Sequence, residues 1–93
     1  MKIAFFNLET WEQEIVKNYL KDQEILFFDH TLNKDNLPEN KDFEIASVFV
    51  DSEIDAKVLE TLPQLKLIVT SSTGFAHIDL KACASKNILV SNV

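Results

Sequence analysis

The chain has 93 residues, with nine lysines, no arginine, fifteen acidic residues and a net charge of −6 at pH 7. That balance argues against a nucleic-acid or anionic-membrane binder, and no apolar run approaches the roughly 20 residues of a membrane helix. Hydrophobic residues make up 46 % and one cysteine, Cys83, leaves no internal disulfide, which suits one small packed domain of residues 1–93.

In chain order, residues 2–7 (Lys-Ile-Ala-Phe-Phe-Asn) read as a short buried strand. Thr10 and Gln13 then have capping-box spacing, with Thr10 as N-cap. Trp11, Ile15 and Tyr19, widened by Val16 and Leu20, form the inward stripe of a helix of about ten residues. Residues 25–28 are a second strand. Residues 31–42 are polar and contain Pro38, a loop with room for one helical turn. Residues 45–50 are a third strand. Ile54, Val58, Leu59 and Leu62 line a short helix that Pro63 ends. Residues 65–70 are a fourth strand, residues 79–86 a helix with Leu80 and Cys83 inward, and residues 88–90 a fifth strand.

Continuous apolar strands alternating with helices imply a parallel α/β sheet covered on both faces. Right-handed crossovers and five strands give a flavodoxin-like order 2-1-3-4-5, with helices on both faces. No helix follows the fifth strand, so part of the covering layer is expected to be missing. The face left open should be apolar and should pair with a second copy as a homodimer. Residues 1–6 have neither the length nor the cleavage site of a signal peptide, which points to the cytoplasm.

The most informative stretch is residues 70–74, Thr-Ser-Ser-Thr-Gly. Gly74 is the only glycine, where an average chain of this length has about six. Glycine permits a positive φ or a close approach to the backbone. A strand end leading into a helix exposes backbone N–H groups, and with the helix dipole behind them they can hold a small anion.

Residues 65–93 resemble the first domain of the D-2-hydroxyacid dehydrogenases, the D-lactate dehydrogenase-like group. The resemblance is carried by Leu65-Lys66-Leu67-Ile68, Thr70, Ser72-Thr73-Gly74-Phe75, His77-Ile78-Asp79-Leu80, Ala82-Cys83 and Asn92-Val93. It implies that the backbone N–H groups of Thr73 and Gly74 hold the carboxylate of a 2-oxo or 2-hydroxy acid, with Ser72 and Phe75 shaping the loop. It also implies an NAD-dependent parent enzyme. The family's Gly-rich dinucleotide-binding domain and its catalytic Arg, Glu and His have no counterpart here. This chain is therefore expected to be a substrate-binding domain, truncated at the interdomain hinge, inactive alone and without a cofactor of its own. Three positions depart from the family pattern: Ser71 for Arg, Ala76 for Asp, and Asn87 for a helix-ending Gly. Asn is the next-best residue for that left-handed turn.

The alternative reading is a phospho-receiver domain of the same topology. Asp51 would be the phosphoacceptor, Thr70 or Ser71 the switch hydroxyl, and Glu9 part of a Mg²⁺ site. The lysine it needs at the end of strand five is absent, since Ser91-Asn92-Val93 stands there. A flavodoxin is disfavoured because Asn7 to Trp11 offers no phosphate-wrapping loop. His77 is expected to cap or pack, Cys83 to be inert core, and neither His77 nor His30 has a partner at metal-ligand spacing.

Overall fold

The computed structural model describes residues 1–92; Val93, the end of the family-like stretch, lies outside them. Among these residues the order is β1 (Lys2–Phe6), α1 (Thr10–Tyr19), β2 (Glu24–Phe28), β3 (Ile45–Phe49), α2 (Ala56–Glu60), β4 (Leu67–Ser71), α3 (Leu80–Ser85) and β5 (Leu89–Asn92). All neighbouring strands are parallel and the sheet order is β2-β1-β3-β4-β5, as expected from the sequence.

Strand alternation sorts the side chains into two faces. Leu26, Ala4, Ala46, Ile68 and Val90 make one row across the sheet. That face is buried under Val58 and Leu59 of α2, Cys83 of α3, and Leu32 and Phe43 from the β2–β3 connection. α1 connects strands in the opposite lateral direction, so a right-handed crossover puts it on the other face. Lys17 of α1 accordingly sits 5.7 Å from the ring centroid of Phe27.

The second face is only half-covered. Its row of Ile25, Ile3, Ile45, Leu67 and Leu89 is nowhere fully buried, and Leu89 is 72 % exposed. The stripe expected to anchor α1 points outward instead: Trp11 is 65 % and Tyr19 83 % exposed. Val16 and Leu20, one step round the helix, are half-buried. Two apolar flanks lie side by side on α1, and only one meets the sheet.

Local chemistry moves several boundaries. Asn7 has φ 61°, so the chain turns directly after β1 and the helix cap falls on Glu9, not Thr10. Glu12 then completes the reach-back, its Oε1 accepting from the Glu9 amide at 2.9 Å. Ile54, expected in the second helix, lies before it and bridges Ile78. Asp55 caps α2 by accepting from the Val58 amide at 3.0 Å. Leu80, expected inward, is half-exposed, while Cys83 is buried. No helical turn forms in the β2–β3 connection among the described residues. Asx turns shape it, the Asp35 amide donating to Asn33 Oδ1 and the Asp42 amide to Asn40 Oδ1.

The end of α3 has the expected left-handed residue, Asn87 at φ 59°. The Ile88 amide donates to the Cys83 carbonyl at 2.9 Å and the Asn87 amide to Ala84 at 3.1 Å, a Schellman pattern closed by buried Ile88 against Cys83. Asn87→Ala is expected to cost about 1 kcal/mol, because a Cβ-bearing residue without a local polar side chain is strained there. That corresponds to a fall in Tm of about 4–8 °C by differential scanning calorimetry.

Candidate functional site

Ligands of open parallel sheets gather at the carboxyl ends of the strands. Here that edge carries Asn7, Asp51, the 72–79 segment and Asn92. Asn7 Nδ2 donates to Asp51 Oδ2 at 3.0 Å, tying the ends of β1 and β3 together.

The segment after β4 is pinned at its entry, middle and exit. At the entry the Ser72 hydroxyl donates to the Gly74 carbonyl at 2.8 Å, and Asn92 Nδ2 reaches the Ser72 carbonyl at 3.4 Å. In the middle, Phe75 packs against the core and its carbonyl accepts from the Ile78 amide at 2.9 Å. At the exit, the Ile54 amide donates to the His77 carbonyl and the Asp79 amide to the Ile54 carbonyl, at 2.9 and 2.8 Å. Thr73 and Gly74 stand exposed between these anchors. Among the described residues, the amides of Thr73, Gly74, Phe75 and Ala76 donate to no protein group. Unpaired N–H groups on a fixed turn can serve as anion donors.

Of the two uses of glycine, a positive φ and a close approach to the backbone, the first is absent here, and the helix-dipole expectation is corrected. Gly74 does not have a positive φ, so the backbone does not require glycine. A Cβ built on it would meet nothing within 4 Å, so the open space over it is what the glycine preserves. Nor does the helix dipole back the donors. α3 starts at Leu80, six residues further on, and Asp79 already caps it by accepting from the Ala82 amide at 3.0 Å. The loop itself supplies the free N–H groups.

Beneath the loop, Thr70 is fully buried. Its hydroxyl lies 2.8 Å from His77 Nε2 and 2.9 Å from Ser72 Oγ. The sequence signal for this was a threonine two residues after Ile68 on the buried face, which needs partners there. His77 thus hydrogen-bonds inward, and the cap belongs to Asp79. His30 stacks edge-on against Phe6 and its Nδ1 lies 2.8 Å from the Thr31 carbonyl. Burial, then the Asp79 carboxylate, push the Cys83 thiol above its usual range, which disfavours a reactive thiolate. Ser71 and Ala76 are exposed, and the Ser71 side chain bonds no described group.

Residues 3–93 match the family model described as D-isomer specific 2-hydroxyacid dehydrogenase, catalytic domain. The chain belongs to this family. It is 34 % identical over 99 residues to 2-hydroxyacid dehydrogenase homolog 1 of Schizosaccharomyces pombe, covering all of this chain and 29 % of that protein. D-lactate dehydrogenase from Aquifex aeolicus, solved with NAD and lactic acid, superposes with a TM-score of 0.89 at 34 % identity, over 98 % of this chain and 27 % of that one. Apo D-lactate dehydrogenase from Escherichia coli gives 0.86 at 25 % identity, over 100 % and 31 %. The chain therefore spans about three-tenths of the length of these 2-hydroxyacid dehydrogenases.

Membership in the dehydrogenase family removes the receiver reading. Asp51 is held by Asn7, Glu9 caps α1, and Thr70 is buried rather than poised at a phosphate. A dinucleotide does not fit the residues present. The sole glycine leaves no Gly-rich phosphate loop, and the Asp79 carboxylate occupies the N-terminus of α3, where it would repel a phosphate. No helix among the described residues is long and apolar enough to cross a membrane.

Proposed function

We propose that this chain is the substrate-binding part of a 2-hydroxyacid dehydrogenase, in which the amides of Thr73 and Gly74 hold the carboxylate of a 2-oxo or 2-hydroxy acid. Ser72 and Phe75 set the shape of that loop. The observation that carries the reading is the set of unpaired amides on an anchored, exposed turn, in a family whose relatives include an enzyme solved with lactic acid.

In the whole enzyme the cradle would hold the acid while hydride passes between its C2 carbon and NAD. The residues of this chain bind and orient; those that hold NAD and move the proton would belong to a nucleotide-binding domain outside it. Alone, residues 1–93 form one domain that does not catalyse. The reading places the enzyme in the cytoplasm, where NAD is abundant.

Affinity for the acid should be weak. Two or three backbone hydrogen bonds to a carboxylate contribute about 1.5–3 kcal/mol each, and the ligand's lost freedom offsets several kcal/mol of that. The chain has no arginine and a net charge of −6, so no guanidinium clamps the carboxylate and the general field repels it. A Kd for oxamate in the millimolar range or weaker is expected by titration; sub-micromolar binding would refute the reading.

The same proposal gives the half-covered sheet face a role. In the enzyme, other parts of the polypeptide would cover the row Ile25, Ile3, Ile45, Leu67 and Leu89. The isolated chain should cover it with a second copy, as a homodimer or larger assembly. Static light scattering that finds only monomer at high concentration would contradict this.

A further inference from the structure

We infer that His77 is a positioning residue for the cradle, acting through a one-way relay of hydrogen bonds that fixes the proton on its Nε2. The argument begins at the far end of the relay. The Gly74 carbonyl can only accept, so the Ser72 hydroxyl spends its one proton on it, at 2.8 Å. Ser72 Oγ must then accept in its 2.9 Å contact with Thr70, which spends the Thr70 proton. Thr70 Oγ1 must in turn accept in its 2.8 Å contact with the imidazole. Only His77 Nε2–H remains to donate. The chain of bonds runs from His77 Nε2–H to Thr70, from Thr70 to Ser72, and from Ser72 to the Gly74 carbonyl, with no free choice at any link.

The geometry gives this relay a purpose. Its middle member is fully buried, so no solvent molecule competes for the Thr70 hydroxyl. Its last member holds the carbonyl of Gly74, the same residue whose amide stands free. Fixing that carbonyl fixes the Gly74–Phe75 peptide plane, which carries the unpaired Phe75 amide, and restrains the Thr73–Gly74 plane next to it. His77 touches no substrate in this scheme. Its own backbone carbonyl is held by the Ile54 amide at 2.9 Å, so the imidazole is carried on a fixed support at the foot of the loop.

The inference extends the proposed carboxylate cradle, but its first test does not depend on that reading. Long-range ¹H–¹⁵N spectra of the full chain, at a pH where the imidazole is neutral, report which ring nitrogen carries the proton. Protonated Nε2 with unprotonated Nδ1 is expected. Protonated Nδ1 with a bare Nε2 would overturn the relay, since Thr70 would then have no donor.

The second test compares His77→Gln, whose terminal amide keeps an N–H near the Nε2 position, with His77→Leu. The Gln variant should leave the Thr73 and Gly74 amide resonances near their original positions, and the Leu variant should move them. If oxamate binds the unaltered chain, the Leu variant should weaken it about tenfold, the value of one hydrogen bond, and the Gln variant should restore most of it. Equal behaviour of the two folded variants would overturn the role. Failure of the unaltered chain to bind oxamate, with the tautomer as expected, would count against the cradle and leave the relay standing.

Discussion

Gly74→Ala should abolish oxamate binding while leaving the fold as stable as before, or slightly more stable. The two halves of this expectation have separate causes. The glycine is not at a positive φ, and an added Cβ would meet no atom within 4 Å. Replacing glycine by alanine at a compatible backbone site stabilises by about 0.4–1 kcal/mol, through loss of unfolded-state freedom. The same methyl group would stand in the space that a carboxylate needs to approach the loop amides. Thermal unfolding with a midpoint equal to or a few degrees above the parent, together with loss of every oxamate-induced shift, is the predicted pair of results. A clear fall in Tm would show that the turn needs glycine for its own conformation. Undiminished binding would show that the carboxylate does not sit over Gly74.

Phe43→Ala is expected to have the largest effect on stability, a loss of about 3–5 kcal/mol. Phe43 is fully buried. Its ring meets Phe6 edge-on with centroids 5.9 Å apart, and Phe28 at 6.3 Å. It plugs the end of the core where the β2–β3 connection crosses over β1 without a helix. A domain of this size has only about 5–14 kcal/mol of stability in all, so the variant should unfold at much lower urea and lie near the edge of folding at 37 °C. Urea titration followed by circular dichroism measures it. A loss under 1 kcal/mol would mean that the crossover is not a structural part of the core.

Phe43 also marks where sequence reasoning ended. The five strands and their order followed from apolar runs separated by helical patterns, because a strand with apolar side chains on both faces does not alternate. The β2–β3 connection has no period of any kind. Its composition reads as polar loop, yet Leu32, Pro38 and Phe43 are buried in it. Single apolar side chains inserted from irregular backbone leave no repeating trace in a sequence. The face of α1 was misjudged for a related reason. Trp11, Ile15 and Tyr19 have the cleaner spacing, but spacing alone does not tell which of two adjacent apolar flanks meets the sheet.

At the loop, the residues were legible and the physics was only partly so. A lone glycine after Ser-Ser-Thr singles out the turn whose amides have no protein partner among the described residues. Of the two uses of a glycine there, a positive φ is absent and open space for a close approach remains, while the helix dipole does not back the donors. Asp79 occupies the start of α3, and the free donors belong to the turn itself. The supporting relay from His77 through Thr70 to Ser72 joins residues seven positions apart, and the sequence hinted at it only by placing a threonine on a buried face.

The most direct test of the central claim is a ¹H–¹⁵N correlation spectrum of the unaltered chain titrated with oxamate into the tens of millimolar. The account predicts saturable shifts centred on the amides of Ser72, Thr73, Gly74 and Phe75, with the rest of the spectrum nearly unchanged. A well-dispersed spectrum in which those four amides do not move, or in which the shifts centre on another part of the molecule, would contradict it.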